Sequence, residues 1–193
     1  MGQQTELWTL YPYVNAGARA MLFVDGENLA IRYGSMRSPE NAEETERKLN
    51  IRYRKNVAAW ADHLAPDNKS LPHTSLLRRY YYTSLKGDEN ARLETIDWLK
   101  SGGFEAPRVF RKDGNGRSKQ VDITLCCDML THAARRHYEV AILVAGDGDY
   151  VPLLRAVKSE GARAHVWFIS DGLSSDLRRE ADHFVCLDQD FGV

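Results

Sequence analysis

Four aspartates stand where carboxylates can do metal chemistry. Asp25 closes one apolar run, in Phe23-Val24-Asp25-Gly26-Glu27-Asn28, and Asp147 and Asp149 close another, in Val144-Ala145-Gly146-Asp147-Gly148-Asp149-Tyr150. Asp122 opens a helical segment, Val121 to His137, that leads into the second run. Taken singly these features are bland: Asp-Gly after a strand is usually a turn, and an Asp at a helix start is usually a cap. Their positions make them more than that. If the two apolar runs are neighbouring strands, three loops deliver four carboxylates to one edge of the sheet. Carboxylates held together repel one another and resist ionisation, and a divalent cation is the simplest compensation. An all-oxygen ligand set suits Mg²⁺ or Mn²⁺. Such an ion acidifies a bound water and neutralises charge on a phosphodiester, so no side-chain nucleophile is required. Gly26, Gly146 and Gly148 allow sharp turns and close approach of a phosphate.

Other polar residues fall around this edge. Asn28, in the first turn after Asp25, can bind a phosphate oxygen or orient a carboxylate, the simpler alternative being a capping role. Arg111, Arg117 and Lys119, with Arg108 and Lys112, flank the loop Asp113-Gly114-Asn115-Gly116 and make the best local phosphate-binding patch. Asp128 lies six residues after Asp122, about 240° around the helix, and is expected to brace a neighbouring loop rather than bind a metal. None of the six histidines forms a His-X-His or His-Glu-X-X-His pattern; His132 and His137, five apart, are poorly spaced to share a ligand. Cys126 and Cys127 read as core or near-core packing.

The elements that must position these residues alternate strand with helix. Strands are expected at Ala20–Val24, Leu76–Ser84, Pro107–Lys112, Val140–Ala145, Ala162–Ile169 and Phe184–Leu187. Helices are expected at Glu89–Ser101, Val121–His137, Pro152–Glu160 and Leu173–Ala181. That rhythm predicts an α/β fold, a mainly parallel sheet of five to six strands with helices on both faces. Ligands in such folds gather beyond the C-terminal strand ends, where strand order reverses. Tyr80, Tyr81 and Tyr82 alternate faces, Tyr81 opposite its neighbours.

The chain of 193 residues is read as a single domain, 1–193, with an N-terminal arm at 1–19 and a helical insertion at 34–75 after the first strand. The middle of that insertion, Asn41 to Leu64, is charged and reads as one long helix with a solvated face, or as an RNA-binding or dimer-forming flank that leaves room for a homo-oligomer. A net charge of −1 excludes coating nucleic acid by bulk charge, so any contact must be local. Three cysteines, two of them adjacent, make no disulfide framework and suit a reducing, cytoplasmic setting. No apolar run approaches the roughly 18 residues that cross a bilayer, so no membrane partner is expected.

At these residues the sequence resembles the NYN domain, a branch of the PIN-like nucleases. The matching elements are Phe23-Val24-Asp25-Gly26-Glu27-Asn28-Leu29, Lys119 through Leu130, Ala141 through Leu153, and Leu173 through Phe184, in the family's order. The resemblance implies a three-layer α/β/α, Rossmann-like domain and Mg²⁺- or Mn²⁺-dependent hydrolysis of single-stranded or structured RNA. It implies Asp25, Asp122 and Asp147 as the core acids with Asp149 close by, Asn28 as a neighbouring polar group, and Ser174 or Ser175 as a phosphate ligand through hydroxyl and backbone N–H. Two features depart from the family pattern: the insertion, and Val144-Ala145-Gly146 where a serine is expected in place of Ala145. Two other functions compete. A haloacid-dehalogenase-like phosphatase would explain Asp147 and Asp149, but requires an Asp where Glu27 stands. A PIN-like module that binds RNA or a partner without cleaving it would have no need of crowded carboxylates.

Overall fold

Strand β1 (Ala18–Asp25) is buried along nearly its whole length. Its alternate residues must therefore serve both faces of a covered sheet. Ala20, Leu22 and Val24 enter one core with Leu29, Ala30 and Tyr33 of helix α1 (Gly26–Met36). Met21 and Phe23 enter the other, with residues of the two helices α4 (Gln120–Ala134) and α5 (Val151–Ser159). By the same alternation, Asp25 emerges on the side covered by α4 and α5. The computed structural model describes residues 17–64, 74–112 and 120–193.

The remaining main-sheet strands are β4 (Thr74–Leu85), β5 (Ala106–Arg111), β6 (Val140–Val144), β7 (Arg163–Phe168) and β8 (His183–Cys186), in the order β5-β4-β1-β6-β7-β8. Every pairing is parallel. From β1 the chain steps outward to β4 and β5, then returns to the other flank of β1 as β6 and steps outward the opposite way. The order thus reverses between β1 and β6, whose register pairs Val24 with Val144. Asp25 and the loop after Val144 meet at the crevice that this reversal opens. Helix α3 (Glu89–Ser101) has the bounds its sequence predicts. The short helices α6 (Ser175–Glu180) and α7 (Asp188–Phe191) complete the two outer layers.

The insertion departs from expectation. Its helical part is only α2 (Ala42–Lys48). An antiparallel hairpin follows, β2 (Ile51–Arg54) and β3 (Ala58–Ala61), then a single 3₁₀ turn at Asp62–Leu64. Asn50 and Asn56 adopt left-handed backbone, φ 51° and 56°, which breaks the helix and closes the hairpin. Tertiary burial selects the strand. All four residues of β3 are buried, Trp60 among them. The Tyr81 hydroxyl accepts from the Ala59 N–H and donates to the Ala59 carbonyl, each at 3.0 Å. Thr83 Oγ1 donates to the Val57 carbonyl. Far from presenting a solvated helical face, the middle of the insertion completes the core beside α1. The expected arm lies almost wholly outside the described residues; its last two positions, Ala18 and Arg19, already belong to β1.

Candidate active site

The Asp25 carboxylate is 5% exposed. Its Oδ1 accepts the Asn28 backbone N–H at 3.1 Å, so it caps α1, and its Oδ2 accepts the Tyr150 hydroxyl at 2.9 Å. Burial pushes this carboxyl up to about 7, against those two hydrogen bonds and with help from the charges of Asp122 and Glu27. The Tyr150 hydroxyl also lies 3.3 Å from Asp122 Oδ1. Asp122, in the first turn of α4 rather than at its cap, is pushed up by burial, then by Asp147, Glu27 and Asp149. Asp147 caps the 3₁₀ turn Gly148–Tyr150 by accepting the Asp149 N–H at 3.0 Å. Asp122, Asp147 and Asp149 are all exposed. The arrangement is therefore one sunken carboxylate under three that face solvent, all four brought to one edge.

Two polar clamps hold the loops together. The Asn28 side-chain carbonyl accepts the buried Gly146 N–H at 3.0 Å, tying the turn after β1 to the turn after β6. Ser174 N–H donates to the Gly146 carbonyl at 2.8 Å, and its Oγ caps α6 by accepting from Leu177 N–H at 3.4 Å. A Cβ placed on Gly148 would lie 2.8 Å from that Oγ, so Ser174 is packed against the acidic loop. Ser175 is exposed at the first turn of α6.

Sequence reasoning passed over two participants, Glu27 and Tyr150, and placed a third, Lys112, only in the basic patch. Glu27 extends beside the acids, accepting from Ser84 Oγ at 2.5 Å and from the Lys112 ammonium. Lys112 thereby holds its ammonium on Glu27, whose charge acts on Asp25. The signal for Glu27 was its place two residues after Asp25, weighed only as a departure from a phosphatase pattern. Tyr150 follows the acidic turn and its ring is buried; only the fold shows where its hydroxyl ends.

Arg117 and Lys119 lie outside the described residues. Arg111 is exposed at the end of β5 and acts on Glu89, while Arg108 approaches Asp128 at 3.5 Å. Asp128 accepts the Tyr82 hydroxyl at 3.0 Å, so with Arg108 it braces two strands instead of a loop. The two histidines five apart do meet, through each other rather than a shared ligand. Arg136 adopts φ 54°, the chain doubles back, and His132 Nδ1 and His137 Nδ1 come within 2.8 Å. Cys127 is exposed, because it falls on the outer side of α4; Cys126 is half-buried near Asp122.

The donor set fits a hard divalent cation. It consists of carboxylate oxygens, with a hydroxyl and two backbone amides already orienting them. One hydroxyl hydrogen cannot be shared fully by two carboxylates, and both carboxyls are pushed up, so a cation at the Asp25–Tyr150–Asp122 group would favour their ionised forms. Among the described residues no three or more His, Cys, Asp or Glu side chains already converge as a metal cage. The acids are gathered with a tyrosine oxygen between two of them. Among the described residues no helix is long and apolar enough to cross a membrane.

Comparison with known proteins agrees with this architecture. The model of the NYN domain family matches residues 19–188. A crystal structure of a protein of unknown function from Vibrio parahaemolyticus aligns with a TM-score of 0.59 at 20% identity, over 93% of this chain and 98% of that one. That likeness bears on the fold alone. No curated protein matches.

Proposed function

The chain belongs to the NYN domain family, whose members are generally nucleases, and we propose that it is a ribonuclease that hydrolyses RNA phosphodiester bonds with Mg²⁺ or Mn²⁺. The observation that carries this reading is the meeting of Asp25 and Asp122 across one hydroxyl, with Asp147 and Asp149 close enough to raise the Asp122 carboxyl. Asp25, Asp122 and Asp147 would hold the ion, with Asp149 beside them. When bound, the ion supplies an acidified water and charge neutralisation at the phosphate.

The chain's own residues supply the rest. Asn28 and the Asp25 cap fix the two acidic loops against each other. Lys112, held by Glu27, places an ammonium beside the carboxylates, where it can meet a phosphate oxygen. Arg111, Arg117 and Lys119 would extend that positive flank, and Ser174 and Ser175 would take a phosphate on the opposite side. The whole activity is assigned to one domain. Cys126, Cys127 and Cys186 all carry free thiols, which suits the cytoplasm.

The test is incubation of the purified chain with single-stranded RNA in Mn²⁺ and in EDTA. Cleavage in Mn²⁺, lost in EDTA and lost in Asp147→Asn, is expected. Cleavage that survives either change refutes the mechanism. Turnover of a generic phosphomonoester with none of RNA would favour the phosphatase. RNA binding without turnover in any divalent metal would favour the silent module.

A further inference from the structure

We infer that Tyr150 is a positioning residue for the metal site: its hydroxyl spans the Asp25 and Asp122 carboxylates and holds them at the separation from which a divalent cation binds. The inference rests on the metal-dependent reading above. Tyr150 is 3% exposed, with its ring in the apolar core shared by α4 and α5. Its ring is therefore fixed independently of the acids. The hydroxyl alone leaves that core, and it ends 2.9 Å from Asp25 Oδ2 and 3.3 Å from Asp122 Oδ1. Asp25 is delivered by β1 and Asp122 by α4, elements with no covalent reason to share a spacing. Without the hydroxyl, nothing among the described hydrogen bonds links the two carboxylates directly, and their like charges push them apart.

The other groups around the pair do not duplicate this link. Asn28 reaches Asp25 through a backbone N–H and Gly146 through its amide, but not Asp122. Glu27 is occupied by Ser84 and Lys112. The Cys126 thiol, near both acids, is pushed up to about 11 chiefly by burial and is a poor donor. Outer groups that orient metal ligands typically matter by about 10–100-fold in affinity or activity.

Tyr150→Phe removes the hydroxyl and keeps the buried ring. The experiment measures Mn²⁺ binding to the full chain by the electron paramagnetic resonance of free Mn²⁺, for wild type, Tyr150→Phe, Asp122→Asn and the double variant. Tyr150→Phe is expected to weaken Mn²⁺ binding about 10–100-fold, and saturating Mn²⁺ is expected to restore most of the RNA-cleavage rate. A residue that acts through Asp122 adds little once Asp122 is gone, so the double variant should bind Mn²⁺ no more weakly than Asp122→Asn alone. A purely structural tyrosine would instead lower the melting temperature without the rescue by Mn²⁺ and with additive losses. Equal or tighter Mn²⁺ binding by Tyr150→Phe overturns the assignment while leaving the nuclease reading intact. Absence of Mn²⁺ binding by wild type overturns both.

Discussion

Replacing Asp25 by Asn should stabilise the metal-free protein at alkaline pH while abolishing cleavage. The effect follows from the location of its charge. Burial lifts the Asp25 carboxyl from 3.8 to about 7, and the hydrogen bonds from Asn28 N–H and Tyr150 only partly offset that burial. A carboxyl whose pKa is raised by folding is held best in its protonated form. The stability it confers is fully present below its ordinary pKa of 3.8 and is lost as pH rises through about 7. A shift of about three units corresponds to about 4 kcal/mol. That figure is a ceiling, since the surroundings relax around a buried charge. For a chain of this size each kcal/mol moves the melting temperature by about 2–4 °C. Asparagine keeps an acceptor for the Asn28 N–H and carries no charge. The assay is thermal melting in EDTA between about pH 5 and pH 8, for wild type and Asp25→Asn side by side, so that titrations common to both cancel. Wild type should lose stability relative to the variant as pH rises, and the variant should melt higher at about pH 8. An Asp25→Asn protein that melts no higher than wild type there, or that tracks its pH dependence, refutes the reasoning.

Two further outcomes follow from single contacts. Asn28→Ala removes the acceptor of the buried Gly146 N–H and should cost about 1–3 kcal/mol in chemical denaturation, with a larger loss of RNA cleavage because both acidic loops loosen. Tyr81→Phe leaves the Ala59 N–H and carbonyl unpaired under the hairpin and should cost about 1–3 kcal/mol for each group left unsatisfied. Hydrogen exchange should then show faster opening of β2 and β3 with α4 unchanged; uniform opening across the chain would contradict the local account.

The fate of individual residues shows what a sequence can and cannot reveal here. Asp25, Asp147 and Asp149 were legible because an apolar run closed by Asp-Gly marks a strand end, and alternation with helices makes the sheet parallel. Their common edge then follows from connectivity alone. Asp128 could be moved away from the acids by counting around a helix. Residues that depend on contacts between distant segments were not legible. Tyr150 reaches Asp25 across the crevice between β1 and β6, a separation that no local pattern encodes. Glu27 depends on Lys112, at the end of a strand two places away in the sheet. The stretch from Ile51 to Ala61 is rich in alanine and charge and so reads as helix; its strand form is decided by burial against Tyr81 and Phe104. Asn50 and Asn56 were the local signs that the helix stops. The contact between His132 and His137 was not legible because counting by five assumes a continuing helix, and the left-handed Arg136 ends it.

The central claim is that Asp25, Asp122 and Asp147 hold a divalent cation at the reversal point of the sheet. Anomalous diffraction from crystals of the chain grown with Mn²⁺ tests it most directly. The account predicts a peak with carboxylate oxygens of Asp25 and Asp122 at about 2.0–2.3 Å and with Asp147 or its bound water completing the shell. A peak held elsewhere, or a fully loaded crystal with those three carboxylates unligated, would contradict it.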